Sequence, residues 1–171
     1  MRQQTPADSL DSLYSKESDL VRDFLLFLQQ GGSPWGDVET TTEWDYRTGI
    51  TDVLARTAKG HLVAFEAKLS DWRRATHQAY RNTTFVKQAY VVMPALAAER
   101  ARAHESVFFR YGVGLCSVQK NGVSIIIEAP ELDEDPILPW MKQKANLFFD
   151  EITEHGTRIA QRNRSGDMQT A

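Results

Sequence analysis

One cysteine, Cys116, is all the chain has. That excludes an intrachain disulfide framework and a cysteine-built zinc site, and it points to a reducing compartment, the cytoplasm. Cys116 lies in the apolar run Val113-Gly114-Leu115-Cys116, where a buried structural thiol is expected. Long apolar runs are also missing. No stretch approaches the roughly 20 residues of a membrane span, and Met1-Arg2-Gln3-Gln4-Thr5-Pro6 has no signal-peptide core, so no membrane partner is expected. Positive charge is not in excess: the formal net charge is −3, which gives no global attraction to nucleic acid. There is no helix-turn-helix or zinc finger to read a base sequence. A glycine-rich phosphate loop and a paired-histidine metal motif are likewise lacking, which makes a small-nucleotide phosphohydrolase the minority reading. Internal repeats and low-complexity blocks are absent too.

What is present suits one soluble domain. The 171 residues are 42% hydrophobic and 25% charged, enough for a real core. Charge is unevenly distributed. Lys68, Arg73, Arg74, Arg81 and Lys87 face the single acid Asp71 between positions 68 and 87, whereas Glu128, Glu131, Asp133, Glu134 and Asp135 have no base among them. The acidic stretch reads as a solvated loop.

Residues 1 to 12 read as a disordered leader, 13 to 155 as a single domain, and 156 to 171 as a loose polar tail. The spacing of Leu20, Val21, Phe24, Leu25 and Leu28 predicts a helix from Ser15 to Gln30, stopped by Gly31-Gly32. Glu17 falls along that apolar stripe, so its carboxylate needs a partner. Thr40 to Tyr46 can form a strand. Ser70 or Asp71 is placed to cap a helix from Trp72 to Asn82. Lys87 to Met93 reads as a strand, Ala97 to Arg110 as a helix, and Val113 to Gln119 with Val123 to Glu128 as a hairpin about Asn121-Gly122. Trp140 to Glu154 follows Pro139 as a last helix. A mixed α/β sheet flanked by helices results. Core packing is expected for Trp35, Trp44, Trp72 and Trp140, with base stacking the alternative for Trp35.

The most informative segment is Ile50-Thr51-Asp52-Val53-Leu54-Ala55-Arg56-Thr57, a turn at Lys59-Gly60, and His61-Leu62-Val63-Ala64-Phe65-Glu66-Ala67-Lys68-Leu69. Two apolar, partly β-branched runs about a turn predict a β-hairpin. A turn centred on Lys59 pairs Leu54 with Ala64 and Asp52 with Glu66. Facing carboxylates about 5 Å apart are destabilising in a bare sheet; a divalent cation with oxygen ligands makes them favourable. Alternation places Glu66 and Lys68 on one face, about 6–7 Å apart. Two acids and an ammonium then share one site, where the lysine can hold a water or a developing anion.

These residues resemble the PD-(D/E)XK nuclease superfamily, which includes restriction endonucleases and Holliday-junction resolvases. The match is Asp52, thirteen intervening residues, then Glu66-Ala67-Lys68, with a helix carrying Glu17 before it and the helix Trp72-Arg73-Arg74-Ala75-Thr76-His77-Gln78-Ala79 after it. Residues 15 to 93 reproduce the family's αβββαβ order, a restriction-endonuclease-like core. One departure is Thr51, which stands where the family name implies proline.

The resemblance implies that Asp52 and Glu66 bind Mg²⁺ or Mn²⁺, with the Ala67 carbonyl as a further oxygen ligand. Glu17 would be an outer acid reaching metal through water or a second ion, and Lys68 would orient the attacking water. Gln78, four residues from Arg74 on one helix face, is similar to a glutamine some members place near the centre. Arg73, Arg74 and Arg81 are candidate phosphate contacts, which position rather than specify. The leading expectation is a Mg²⁺-dependent endodeoxyribonuclease acting on DNA, structure-selective or serving restriction or phage defence. A homodimer or partner protein would supply specificity. The alternative is a non-catalytic nucleic-acid-binding or assembly subunit.

Overall fold

The Lys59-Gly60 turn forms as its composition predicts: Gly60 takes φ +79°, a left-handed conformation open to glycine. It joins β2 (Ile50–Thr57) to β3 (Leu62–Ala67), and the register pairs Leu54 with Ala64 and Val53 with Phe65. The computed structural model describes residues 14–132 and 136–166. The leader expected at 1–12 therefore lies outside the described residues. The other elements are α1 (Glu17–Gln29), β1 (Val38–Asp45), α2 (Trp72–Asn82), β4 (Gln88–Pro94), α3 (Ala95–Arg102), α4 (Glu105–Tyr111), β5 (Gly114–Gln119), β6 (Gly122–Ile127) and α5 (Pro139–Gly166). The first six elements follow the αβββαβ order.

The six strands form one mixed sheet in the order β1-β2-β3-β4-β5-β6. Pairing is antiparallel from β1 to β3, parallel across β3-β4-β5, and antiparallel again at β5-β6. The apolar Val123–Ile127 segment thus lies on an edge strand. Each face is covered. On one side Leu20, Phe24 and Leu28 of α1 pack against Val53, Phe65, Tyr90 and Val92. On the other, Ala75 and Ala79 of α2, Ala97, Ala98 and Ala101 of α3, Phe108 of α4 and Met141 and Phe149 of α5 pack against Leu54, Ala64, Val91 and Leu115. Burying each large apolar side chain contributes roughly 1.5–3 kcal/mol. β3, covered on both faces, is buried at every position. It therefore reads as a continuous apolar run interrupted only by Glu66.

Several expectations change on contact with the fold. The helix expected over 97–110 is two, α3 and α4, with a break at Ala103-His104. The last helix continues past Glu154 to Gly166, so the backbone of 156–166, read as loose, is helical. Trp35 makes edge contacts with Phe24, Phe65 and Tyr90, and Trp44 and Trp72 are buried, but Trp140 is 54% exposed. Within the acidic loop Glu128 accepts a hydrogen bond from the buried Tyr90 hydroxyl, so it is not merely solvated. No described helix is long and apolar enough to cross a membrane.

Candidate metal centre

The sheet loses its regular alternation where the acids sit. Glu43, opposite Asp52 in the β1–β2 register, has φ +50°, a rare conformation for a residue with a side chain. Val38 packs in the α1 layer, whereas Trp44, six residues on, packs in the α2 layer. Regular alternation would keep the two on one face. The same reversal occurs in β2: Val53 faces α1, while the Thr51 hydroxyl reaches Asn82 of α2. The β2–β3 ladder ends at Val53↔Phe65. Asp52 and Glu66 are therefore not the ladder partners that the hairpin reading expected. Instead the strands part there, and Asp52 Oδ2 accepts the Ala67 N–H (2.9 Å) that the ladder leaves free.

Glu66 is 1% exposed. Its Oε1 accepts from Asn82 Nδ2 (2.7 Å), and Asn82 Oδ1 accepts from the Thr51 hydroxyl (3.0 Å). Its Oε2 is buried without a hydrogen-bond donor. The negative charge of Asp52 acts on the Glu66 carboxyl. Two carboxylates are acceptors only, so a close pair is stabilised by sharing a proton or a cation. Burial first, then the negative charge of Asp52, pushes the Glu66 carboxyl up from 4.5 to about 8; the Asn82 hydrogen bond and the Lys68 charge act the other way. An orphaned buried oxygen beside a second carboxylate is a donor set that fits a hard divalent cation.

Lys68 follows the last residue of β3, and its N–H continues the parallel pairing to Val92 O (3.1 Å). Its Nζ donates to Glu17 Oε2 (2.8 Å) and to Ala67 O (3.0 Å). An ammonium has three protons, so one remains available. Glu17 is at the start of α1, where the helix dipole favours an acid. Its side chain is 48% exposed rather than directed into the apolar stripe, and Lys68 is the partner it required. Among the described residues no three or more His, Cys, Asp or Glu side chains gather as a metal site. Asp52 and Glu66 stand as a pair, with Glu17 held apart on Lys68. The Ala67 carbonyl carries the lysine and keeps one lone pair.

α2 begins at Trp72, with the Asp71 side chain accepting the Arg74 N–H (3.1 Å) as its cap. Trp72, Ala75, Thr76, Ala79 and Asn82 form its buried face. Gln78 flanks that face, and its Oε1 is buried without a partner. No hydrogen bond among the described residues joins it to Asp52 or Glu66. The three arginines separate. Arg73 lies over the Trp72 ring at 4.4 Å, while the charge of Arg81 is felt by Tyr46. Arg74 is exposed. His77 turns to Tyr111 of α4, away from the acids.

Three residues that sequence reading passed over belong here: Asn82, Thr51 and Tyr46. Tyr46 is buried at the end of the β1 side, its phenol raised by burial and by the charge of Glu66. Gly49 turns the chain over it; a Cβ there would lie 2.5 Å from the Tyr46 hydroxyl. For Asn82 a signal existed, since it lies four residues beyond Gln78 and continues the Ala75-Ala79 stripe with a polar side chain. Thr51 gave none, because its alternation predicts the opposite face.

No protein-family model matches the sequence, and no curated protein is detectably similar to it. Among solved structures, a protein of unknown function from Silicibacter pomeroyi superposes with a TM-score of 0.58 at 14% identity, over 91% of this chain and 96% of that one. A repair endonuclease from Pyrococcus abyssi aligns with a TM-score of 0.36 at 14% identity, over 70% of this chain and 49% of that one. The first likeness is one of fold alone, and the second is too distant to carry a functional argument. The chain is a mixed α/β protein whose six-stranded, helix-flanked sheet is compatible with a restriction-endonuclease-like fold.

Proposed function

We propose that the chain is a metal-dependent endonuclease that hydrolyses DNA phosphodiester bonds. The observation that carries this reading is the buried Glu66 Oε2, without a donor, on a carboxyl that feels the charges of Asp52 and Lys68. A protein stabilised only by its core gains nothing from that arrangement.

Asp52 and Glu66 would hold Mg²⁺ or Mn²⁺, with the Ala67 carbonyl as a further oxygen. When bound, the ion acidifies water and neutralises charge at the phosphate. Asn82 holds Glu66 so that one oxygen is left for binding. Lys68, anchored by Glu17 and Ala67 O, offers its remaining proton to the attacking water or a phosphate oxygen. Glu17 thus orients the lysine. Gln78 has an acceptor to offer a water, and Arg74 and Arg81, exposed on α2, would meet the phosphate backbone. One such centre cuts one strand, so a second copy or a specificity partner belongs to this reading.

A supercoiled-plasmid assay tests it. Nicking is expected with Mg²⁺ or Mn²⁺, abolished by chelator and reduced about a hundredfold or more in Asp52→Asn. Undiminished nicking by that variant assigns the chemistry elsewhere.

A further inference from the structure

Two fully buried polar residues that no catalytic motif includes, Thr51 and Asn82, form a relay that ends on Glu66. The chain runs from the Thr51 hydroxyl to Asn82 Oδ1 (3.0 Å) and from Asn82 Nδ2 to Glu66 Oε1 (2.7 Å). All three residues are at most 1% exposed. We propose that Thr51 and Asn82 are positioning residues which select the Glu66 oxygen left free for a cation. The inference rests on the metal reading above and deepens it.

The directionality follows from donor and acceptor counts. An asparagine amide can present either end to Glu66. Presenting Oδ1 would set one acceptor against another, so Nδ2 must face the carboxylate. Oδ1 then points at Thr51 and needs a donor, because a buried acceptor without one is costly. The Thr51 hydroxyl is that donor. With Asn82 locked, Oε1 of Glu66 is occupied and Oε2 is the oxygen left without a partner.

The strand reversal at Asp52 is what brings Thr51 to α2. In regular alternation Thr51 would share the face of Val53, in the α1 layer and out of reach of Asn82. Thr51 also occupies the position where the resembled family's name has proline. A proline has no hydroxyl, so the relay is a device of this chain rather than of the motif.

Two readouts test the proposal. The first needs no metal. The Asn82 side-chain NH₂ protons, assigned by their disappearance in Asn82→Leu, are expected to exchange slowly with solvent in the wild type. Exchange should be at least about tenfold faster in Thr51→Val and in Thr51→Ala, if local opening sets the rate. Thr51→Ser should restore protection. The second is Mn²⁺ affinity by calorimetry. Thr51→Val and Asn82→Leu should weaken it by about 10–100-fold, the usual cost of losing an outer partner of a metal ligand, and Thr51→Ser should recover it. Wild-type affinity in both Thr51→Val and Thr51→Ala overturns the positioning role while leaving the metal reading intact. A wild type that binds no Mn²⁺ but keeps protected Asn82 protons overturns the metal reading, with the hydrogen-bond relay upheld.

Discussion

Glu66→Gln is expected to yield a protein that is more stable than the wild type and inactive. Glutamine keeps the length of the side chain and an Oε1 to accept from Asn82. It replaces the orphaned Oε2 with an NH₂ that can donate to Asp52. The variant therefore removes a buried charge and satisfies its neighbour in one change. It also removes an anionic oxygen from the proposed ion site. Without metal at pH 8, the gain in stability should be on the order of 2–4 kcal/mol, from the size of the carboxyl's shift. For a chain of this length that raises Tm by roughly 5–10 °C. Nicking should fall about a thousandfold or more.

The pH dependence has a definite sign. Folding raises the Glu66 carboxyl from 4.5 to about 8, so its contribution is fully present below 4.5 and is lost as pH rises through 8. Glu39 shifts the other way, lowered first by its hydrogen bond from Arg56, so its contribution is lost only as pH falls through the acid range. Between about pH 5 and 8 the slope belongs to Glu66. Thermal melts in chelator should show wild-type Tm falling across that interval and Glu66→Gln staying level. A variant less stable than wild type at pH 8 would contradict this account of the buried pair.

Lys68→Met is the second large effect, and it should separate chemistry from binding. Methionine keeps much of the stem and removes the ammonium. Loss of a donor aimed at developing charge costs about 10²–10³ in rate, or about 3–4 kcal/mol. Mn²⁺ affinity should change little, because Lys68 is bonded to Glu17 and the Ala67 carbonyl rather than standing between Asp52 and Glu66. Glu17→Gln should show a milder form of the same pattern, since it loosens the lysine without removing it. If Lys68→Met loses metal binding and activity in parallel, Lys68 supports the site's structure rather than its chemistry.

Much of this arrangement could be read from the sequence. The αβββαβ order, the Lys59-Gly60 turn and the Leu54↔Ala64 register follow from local signals, and the structure has each of them; of the two cap candidates, Ser70 and Asp71, it uses Asp71. Asp52, Glu66 and Lys68 stood out because charged residues interrupt apolar strands. What could not be read depends on departures from regularity or on distant pairing. The left-handed Glu43 reverses the side-chain alternation of β1, and no residue type demands it. The Thr51–Asn82–Glu66 relay joins positions 31 and 16 residues apart through the placement of α2 over the sheet. Periodicity says which face of α2 is buried, not which polar group of the sheet lies beneath it. The break at Ala103-His104 went unseen for a similar reason, because neither residue is a glycine or proline.

The central claim is that Asp52 and Glu66 together bind one divalent cation. Calorimetric titration of Mn²⁺ at about pH 6.5, in two buffers of different ionisation enthalpy, addresses it most directly. With burial and the Asp52 charge raising the Glu66 carboxyl to about 8, binding of one ion per chain at that pH should release about one proton. Both the heat and the proton release should vanish in Glu66→Gln. Absence of binding to the wild type, or equal binding by the variant, would contradict the claim.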